Sequence, residues 1–82
     1  MHKARVYVTL KPSILDPQGN AVKNGLESLG FADVTDVRVG KYLEVSLDVV
    51  DKNVALEQVE EMCKKLLANP VIEDYRFELV EG

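Results

Sequence analysis

Few side chains of this 82-residue sequence are of the types that carry out bond chemistry. The only histidine, His2, stands beside the N-terminus, and the only cysteine, Cys63, lies among apolar residues at helical spacing. General acid–base catalysis most often uses histidine, and a cysteine nucleophile needs a neighbouring base to activate it. We therefore expect a frayed His2, a buried and unreactive Cys63, and no catalytic residue in this chain.

Carboxylates are more numerous, but their spacing does not predict a metal or nucleotide site. Glu57, Glu60 and Glu61 share a helical face, and no further ligand-type residues converge on them as a divalent cation would require. Asp16 precedes a helix that starts at Pro17, so this helix end is already capped and lacks one N–H donor for an anion. The sequence also contains no glycine-rich phosphate loop. We expect no cofactor and no metal bound by this chain.

Tyrosine and arginine residues on the predicted strands form the remaining candidate for a binding surface. The strand face that carries them comprises Arg5, Tyr7, Thr9, Arg38, Tyr42, Glu44, Ser46, Arg76 and Glu78. Tyrosine and arginine are favoured in the cores of protein interfaces, so Arg5, Tyr7 and Arg76 are candidate residues of a sheet-face interface. The alternative is a solvated face with scattered aromatic residues.

Charge and composition exclude several classes of partner. Two tyrosines on neighbouring strands resemble the base-stacking platform of RNA-recognition domains. A net charge of −4 and a pI of about 4.9 oppose that function, because nucleic-acid binding depends on neutralising phosphates, and they oppose binding to an anionic membrane surface as well. One cysteine allows no internal disulfide, and neither a signal-peptide pattern nor a membrane-spanning apolar run is present. We therefore expect a cytoplasmic location.

Six elements are expected to position these residues within a single domain, 1–82, whose small core would gain stability from a partner. The predicted strands cover about residues 3–11, 34–39, 42–49 and 71–80, and the predicted helices about residues 17–29 and 53–68. Asp16 is the predicted N-cap of the first helix, and Gly30 is predicted to end it in a left-handed conformation. The buried stripe of the second helix is predicted to comprise Leu56, Val59, Cys63, Leu66 and Leu67.

The two middle strands flank Gly40 and Lys41, and apolar residues alternate with polar ones on both sides of this corner. This pattern predicts a β-hairpin. Placing Val37 and Val39 on the same face as Leu43 requires a bulge or an odd-length loop near Gly40. Strand–helix–strand repeated twice predicts a ferredoxin-like βαββαβ sandwich of the α+β class, with a four-stranded antiparallel sheet and both helices on one face. The first and third strands are expected at the centre.

Three stretches together resemble one protein family. Lys11–Gly19 reads KPSILDPQG, Asp36–Leu43 reads DVRVGKYL, and Met62–Tyr75 reads MCKKLLANPVIEDY. In order and spacing they are similar to PurS, the small subunit of the multi-chain phosphoribosylformylglycinamidine (FGAM) synthase, and the similarity extends over essentially the whole chain. The resemblance implies a non-catalytic subunit in de novo purine biosynthesis. Such a subunit self-associates as a dimer or a tetramer and bridges the glutaminase and the large synthetase subunits.

In that family the glutaminase subunit releases ammonia and the synthetase subunit uses ATP and magnesium. The resemblance therefore implies that ATP and Mg are used by the complex and are not bound by this chain. Two exposed corners are the candidate partner contacts, with the residues Asp16, Pro17, Gln18, Gly19, Arg38, Gly40, Lys41 and Tyr42. The alternative function is a stand-alone, small-ligand-sensing dimerisation domain of ferredoxin-like type that binds a metabolite at the dimer seam.

Overall fold

Strands and helices alternate in the computed structural model, which describes residues 1–81. In chain order the elements are β1 (His2–Leu10), α1 (Pro17–Ser28), β2 (Gly40–Leu47), α2 (Lys52–Met62), a π-helical extension of α2 (Cys63–Leu67) and β3 (Glu73–Glu81). The strands form an antiparallel sheet in the order β2-β1-β3. The predicted α+β class and the central position of the first strand are confirmed.

The central strand β1 separates an apolar face of the sheet from a polar one, because successive side chains of a strand point to opposite sides. Ala4, Val6 and Val8 are at most 1% exposed. The inner face of the sheet comprises Ala4, Val6, Val8, Leu43, Val45, Leu47, Tyr75, Phe77 and Leu79. The open face comprises Lys3, Arg5, Tyr7, Thr9, Tyr42, Glu44, Ser46, Asp74, Arg76 and Glu78.

Helix α2 covers the inner face of the sheet. The Asp51 carboxylate begins the helix by accepting a hydrogen bond from the Asn53 N–H at 2.8 Å. Val59 and Cys63 are completely buried in the core, and Ala55 on the same helix is equally inaccessible. This stripe recurs at helical spacing, so the packing of α2 follows from its sequence pattern.

The end of α2 differs from the predicted regular helix. The Ala68 N–H donates to the Cys63 carbonyl at 3.0 Å, five residues back, so that the last turn is a π turn. The additional residue in this turn changes which side chains face the sheet. Leu66 is 83% exposed, whereas Ala68 is buried. The prediction that Leu66 belongs to the buried stripe is wrong, because it assumed a uniform α-helical period.

Helix α1 begins and ends as its sequence predicts. Asp16 accepts a hydrogen bond from the Gly19 N–H at 2.9 Å, and Pro17 occupies the first turn. At the other end Gly30 has a φ of +98°. The Phe31 N–H donates to the Leu26 carbonyl at 3.0 Å, which is the bond that defines a Schellman termination.

Residues 34–39 do not form the predicted second strand. None of the described residues pairs with them in a ladder, and the chain continues from Val39 directly into β2, where Gly40 pairs with Thr9. Gly40 lacks the positive φ that the structure records at Gly30, and no tight turn forms there. The predicted hairpin and its bulge are therefore wrong. The sheet formed by residues 1–81 has three strands instead of the predicted four, and β2, which corresponds to the third predicted strand, lies at an edge instead of at the predicted central position.

Helix α1 projects away from the sheet, together with the segment that follows it. In the part of the chain that the structure describes, α1 makes only marginal contact with the strands, so the prediction that both helices lie on one face is wrong for α1. The radius of gyration is 16.3 Å, whereas a compact chain of this length has one of about 12 Å. We call residues 17–39 the arm. Its side chains Val22, Leu29 and Phe31 are 46%, 75% and 57% exposed.

Candidate functional site

The two corners predicted to contact partners come together at the base of the arm. The Asp16 carboxylate, which is buried, accepts hydrogen bonds from the Gly19 N–H at 2.9 Å and from the Val39 N–H at 2.8 Å. The hydrogen bond from Val39, followed by that from Gly19, lowers the pKa of Asp16 below its ordinary value. Asp16 therefore joins the start of α1 to the start of β2.

Arg38 strengthens this junction from the other side. One guanidinium nitrogen donates to the carbonyl oxygens of Lys11 at 2.8 Å and of Ile14 at 3.1 Å. These carbonyls belong to the loop between β1 and α1, so Arg38 holds that loop against the segment that enters β2. Asp16 and Arg38 are hereafter called the clamp.

Two glycines allow the backbone to approach closely at this junction. A side chain at Gly19 would collide with the Val37 carbonyl oxygen, and one at Gly40 would collide with the Val8 carbonyl oxygen. Asp16, Gly19 and Gly40 thus have structural roles within the chain. The exposed members of the two corners are Pro17, Gln18, Arg38, Gly40, Lys41 and Tyr42. Contact of these corners with a partner stays a prediction.

The open face of the sheet carries a cluster of aromatic and cationic side chains. The ring centroids of Tyr7 and Tyr42 are 5.1 Å apart, and the Arg76 guanidinium lies 4.1 Å from the Tyr7 centroid. The Tyr42 hydroxyl donates to Glu44 Oε2 at 2.8 Å, and this hydrogen bond raises the pKa of Tyr42. The structure thus brings together Tyr7, Tyr42 and Arg76, which were all predicted for this face of the sheet, and Tyr42 was predicted for a corner as well.

Among the described residues three ion pairs cross the same face, two of them between neighbouring strands and one between Lys11, directly after β1, and β3. The nitrogen–oxygen distances are 3.9 Å for Lys3–Glu44, 3.7 Å for Arg5–Glu78 and 3.2 Å for Lys11–Asp74. Each pair is solvent-exposed and contributes little to the stability of the fold. A sheet face that carries both charges and aromatic rings fits a protein contact better than it fits a phosphate backbone.

The residues that could have supported catalysis are held within the core. His2 is buried at the start of β1, and its Nδ1 lies 2.8 Å from the Val49 carbonyl oxygen, so the prediction of a frayed His2 is wrong. Cys63 is buried as predicted, and desolvation raises the pKa of its thiol. Residues 1–81 contain no group of three or more potential metal ligands and no helix long and apolar enough to cross a membrane.

The sequence is similar to a family of known proteins along nearly its whole length. The family model for PurS, described as phosphoribosylformylglycinamidine (FGAM) synthase, matches residues 3–81. The PurS subunit of FGAM synthase from Bacillus subtilis is 53% identical, over 99% of this chain and 95% of the relative. The corresponding subunit from Methanocaldococcus jannaschii is 42% identical, over 96% of this chain and 95% of the relative.

Solved structures agree with these relatives. The C2 crystal form of Bacillus subtilis PurS matches with a TM-score of 0.88, over 99% of this chain and 100% of that chain, at 53% identity. A chain in the structure of PurLQS from Thermotoga maritima matches with a TM-score of 0.86, over 96% of both chains, at 28% identity. The extended arrangement of the arm is therefore shared with experimentally determined structures.

Fold and surfaces together define a small α+β association subunit whose accessible groups suit protein contacts. The chain belongs to the PurS family, the small subunits of FGAM synthase, an enzyme of purine biosynthesis. The resemblance based on three sequence stretches is confirmed.

Proposed function

We propose that this chain holds the glutaminase and synthetase subunits of FGAM synthase together and supports the transfer of ammonia between them. The observation that carries the proposal is the match to a chain of PurLQS from Thermotoga maritima, which covers 96% of both chains. ATP and magnesium are used by the synthetase subunit in this proposal, and this chain contributes binding surfaces. The burial of His2 and Cys63 supports a non-catalytic role.

Assembly would increase turnover for a physical reason. Ammonia released into water is protonated and diffuses away, whereas two active sites held in one complex keep the local concentration of the intermediate high. A subunit can supply this advantage without touching the reacting atoms. It must instead bind two different partners at once, which requires more than one exposed surface.

Separately from the surfaces for the enzyme subunits, the arm exposes a surface that we propose for self-association. Val22, Leu29 and Phe31 are exposed on it, and residues 34–39 leave their backbone groups without ladder partners among the described residues. Exposed apolar side chains beside a segment that belongs to no ladder are typical of regions that pair with another chain. On the sheet, Leu43 and Val45 of β2 are only partly buried, and the outer edge of β2 is free of described strands.

A second copy of the chain would cover both the exposed apolar side chains of the arm and the free outer edge of β2. In the proposed dimer, residues 34–39 of one copy pair with the β2 edge of the other, and α1 packs over Leu43 and Val45. Each sheet thereby gains a fourth strand and a second helix. The predicted ferredoxin-like sandwich is then completed by two chains that exchange their arms, which is domain swapping.

The open face remains available for the enzyme subunits in such a dimer. We propose that Arg5, Tyr7 and Arg76 contact one of these subunits, together with the exposed residues of the two corners at the base of the arm. Arg38 serves the clamp as well, so its replacement would change both the fold and the contact. Arg5→Glu is therefore the cleaner test of this surface, with Lys65→Glu on the exposed side of the π-helical extension of α2 as the matched control. Arg5→Glu is expected to weaken complex formation at least about tenfold and Lys65→Glu to leave it unchanged.

The decisive measurement is FGAM formation by the glutaminase and synthetase subunits with this chain added or withheld. Turnover with glutamine is expected to require the chain, whereas turnover with ammonium chloride as the nitrogen source is expected to proceed without it. This difference separates a bridging role from a direct effect on the synthetase. Equal glutamine-dependent rates with and without the chain would refute the proposal.

A further inference from the structure

The outer edge of β3 is open along the whole strand, which is nine residues long. β1 pairs with the other edge of β3, and no strand within residues 1–81 pairs on the outer side. The proposed arm exchange covers β2, at the opposite edge of the sheet, and leaves β3 uncovered. The backbone N–H and C=O groups along such an edge can pair with an additional strand.

The charge of β3 indicates which kind of strand fits its edge. Four of its nine residues carry carboxylates, which are Glu73, Asp74, Glu78 and Glu81, and Arg76 is its one cation. Two copies of β3 side by side would place an excess of carboxylates on both sides of the seam, and like charges on paired strands are destabilising. A strand rich in lysine and arginine is complementary to this edge instead.

A hollow of about 510 Å³ lies beside the edge, between α2 and β3 on the inner face of the sheet. Leu56 and Phe77 line it with apolar surface, and both are partly buried. The other lining residues are Glu57, Glu60 and Glu61, and no described lysine or arginine takes part in the lining. The hollow therefore offers apolar contacts and negative charge together.

Only part of this negative charge is paired within the chain. Glu61 lies 2.8 Å from Lys65 and Glu60 lies 3.9 Å from Lys64, whereas Glu57 forms no ion pair with the described residues. The two pairs are solvent-exposed and therefore weak. A cation from a partner can pair with Glu57 and can replace the lysines at little cost.

We infer that the β3 edge binds an extended, basic segment of a partner protein as an additional strand. Residues opposite each other on paired strands share a face, so the side chain opposite Phe77 points toward the hollow. An arginine or a lysine fits this position, because its aliphatic stem can lie on Leu56 and Phe77 while its charged end reaches Glu57. Main-chain hydrogen bonds supply affinity in such a complex, and the hollow supplies specificity. The inference rests neither on the proposed bridging role nor on the arm exchange.

Titration of the full-length chain with the capped peptide KTVKRTVKK, followed by backbone amide chemical shifts, tests the inference. Paired antiparallel to β3, this peptide places its arginine opposite Phe77 and its four lysines opposite the four carboxylates of the strand. We expect saturation below about 1 mM peptide, with the largest shifts in residues 73–81 and 56–61. Lack of saturation at that concentration, or shifts centred on β2, would overturn the inference.

Two altered peptides separate strand pairing from simple charge attraction. KTPKRTPKK keeps every charge, but its prolines remove backbone donors and interrupt a strand. ETVEETVEE keeps the strand pattern and reverses the charge. Each is expected to bind at least about tenfold more weakly than the first peptide. Equal binding of either one would contradict strand addition by a basic segment.

Two double variants of the chain test the hollow itself. Glu57→Gln/Glu61→Gln is expected to lower the affinity for KTVKRTVKK about tenfold. The matched control, Glu27→Gln/Asp33→Asn, removes the same charge from exposed positions of the arm and is expected to change the affinity less than about twofold. Circular dichroism checks that both variants fold. Equal losses in the two variants would mean a general attraction to an acidic chain and would overturn the inference.

Discussion

The two helices of this chain differ in what covers their apolar side chains. Val59 and Cys63 of α2 are fully buried against the sheet, whereas Val22 of α1 and the adjoining Leu29 are 46% and 75% exposed. Both helices have an aspartate N-cap and apolar residues at helical spacing. Local sequence signals therefore determine that each segment is a helix, but they do not determine which surface it packs on.

The clamp explains the difference between the helices. Asp16 bonds to the Val39 N–H, and Arg38 bonds to the carbonyls of Lys11 and Ile14, so both ends of the arm are held together at the end of the sheet. With its base held in this way, the arm extends beyond the sheet, and the molecule measures 50 Å along its longest axis. Helix α2 lies directly on β1, and the Tyr75 hydroxyl donates to Glu60 Oε1 at 3.1 Å, which ties the helix to β3.

The largest expected effect comes from placing charge on the arm. The double variant Val22→Asp/Leu29→Asp should raise the dissociation constant of the proposed dimer more than about 100-fold, because two carboxylates would have to be buried in the proposed arm-exchange interface. Sedimentation equilibrium measures this change. An unchanged dissociation constant would show that the arm does not pack on a second copy.

The second-largest expected effect is a loss of stability from a substitution in the core beneath α2. Val6→Ala removes two methyl groups from a completely buried site and should lower the free energy of unfolding by about 2 kcal/mol. Urea denaturation at a fixed protein concentration measures it, since association also contributes to stability. A loss below about 0.5 kcal/mol would mean that the sheet and α2 do not form the main core.

Alanine substitutions at two glycines of α1 form a matched pair, because they are expected to change the stability of the fold in opposite directions. Gly19→Ala should destabilise the fold by roughly 1–2 kcal/mol, because the new Cβ collides with the Val37 carbonyl oxygen. Gly25→Ala introduces a Cβ into open space within the helix and should stabilise by roughly 0.5–1 kcal/mol. Thermal unfolding of both variants measures the contrast. Destabilisation by both would contradict the placement of Gly25.

The smallest effect is a pH dependence of the clamp. The pKa of Asp16 is lower in the folded chain than its ordinary value of 3.8, so its contribution to stability is present above that pH and is lost as the pH falls through the folded pKa. Asp16→Asn keeps a helix cap but removes the charge. The variant should have the lower Tm at pH 7, and this difference should shrink at pH 3. An equal difference at both pH values, measured by scanning calorimetry, would mean that the charge does not stabilise the junction.

The sequence by itself determined the local structure of this protein. Asp16, Pro17 and Gly30 set the limits of α1, because capping depends on a few neighbouring residues. The alternation of apolar and polar residues located β1, β2 and β3 and identified the inner face of the sheet. Three short stretches were also enough to identify the PurS family, which composition and periodicity do not define.

Only the tertiary structure decided where the arm lies. Residues 34–39 alternate like a strand, yet alternation cannot show whether the partner strand belongs to the same chain, and Gly40 was compatible with either a turn or a continuous strand. The clamp settled this point through contacts between residues more than twenty positions apart, such as Asp16 with Val39. Likewise, the cluster of Tyr7, Tyr42 and Arg76 depends on the register of three strands, which no local pattern specifies. Long-range contacts of this kind arise from the packing of the whole chain, and so they appear only in its folded structure.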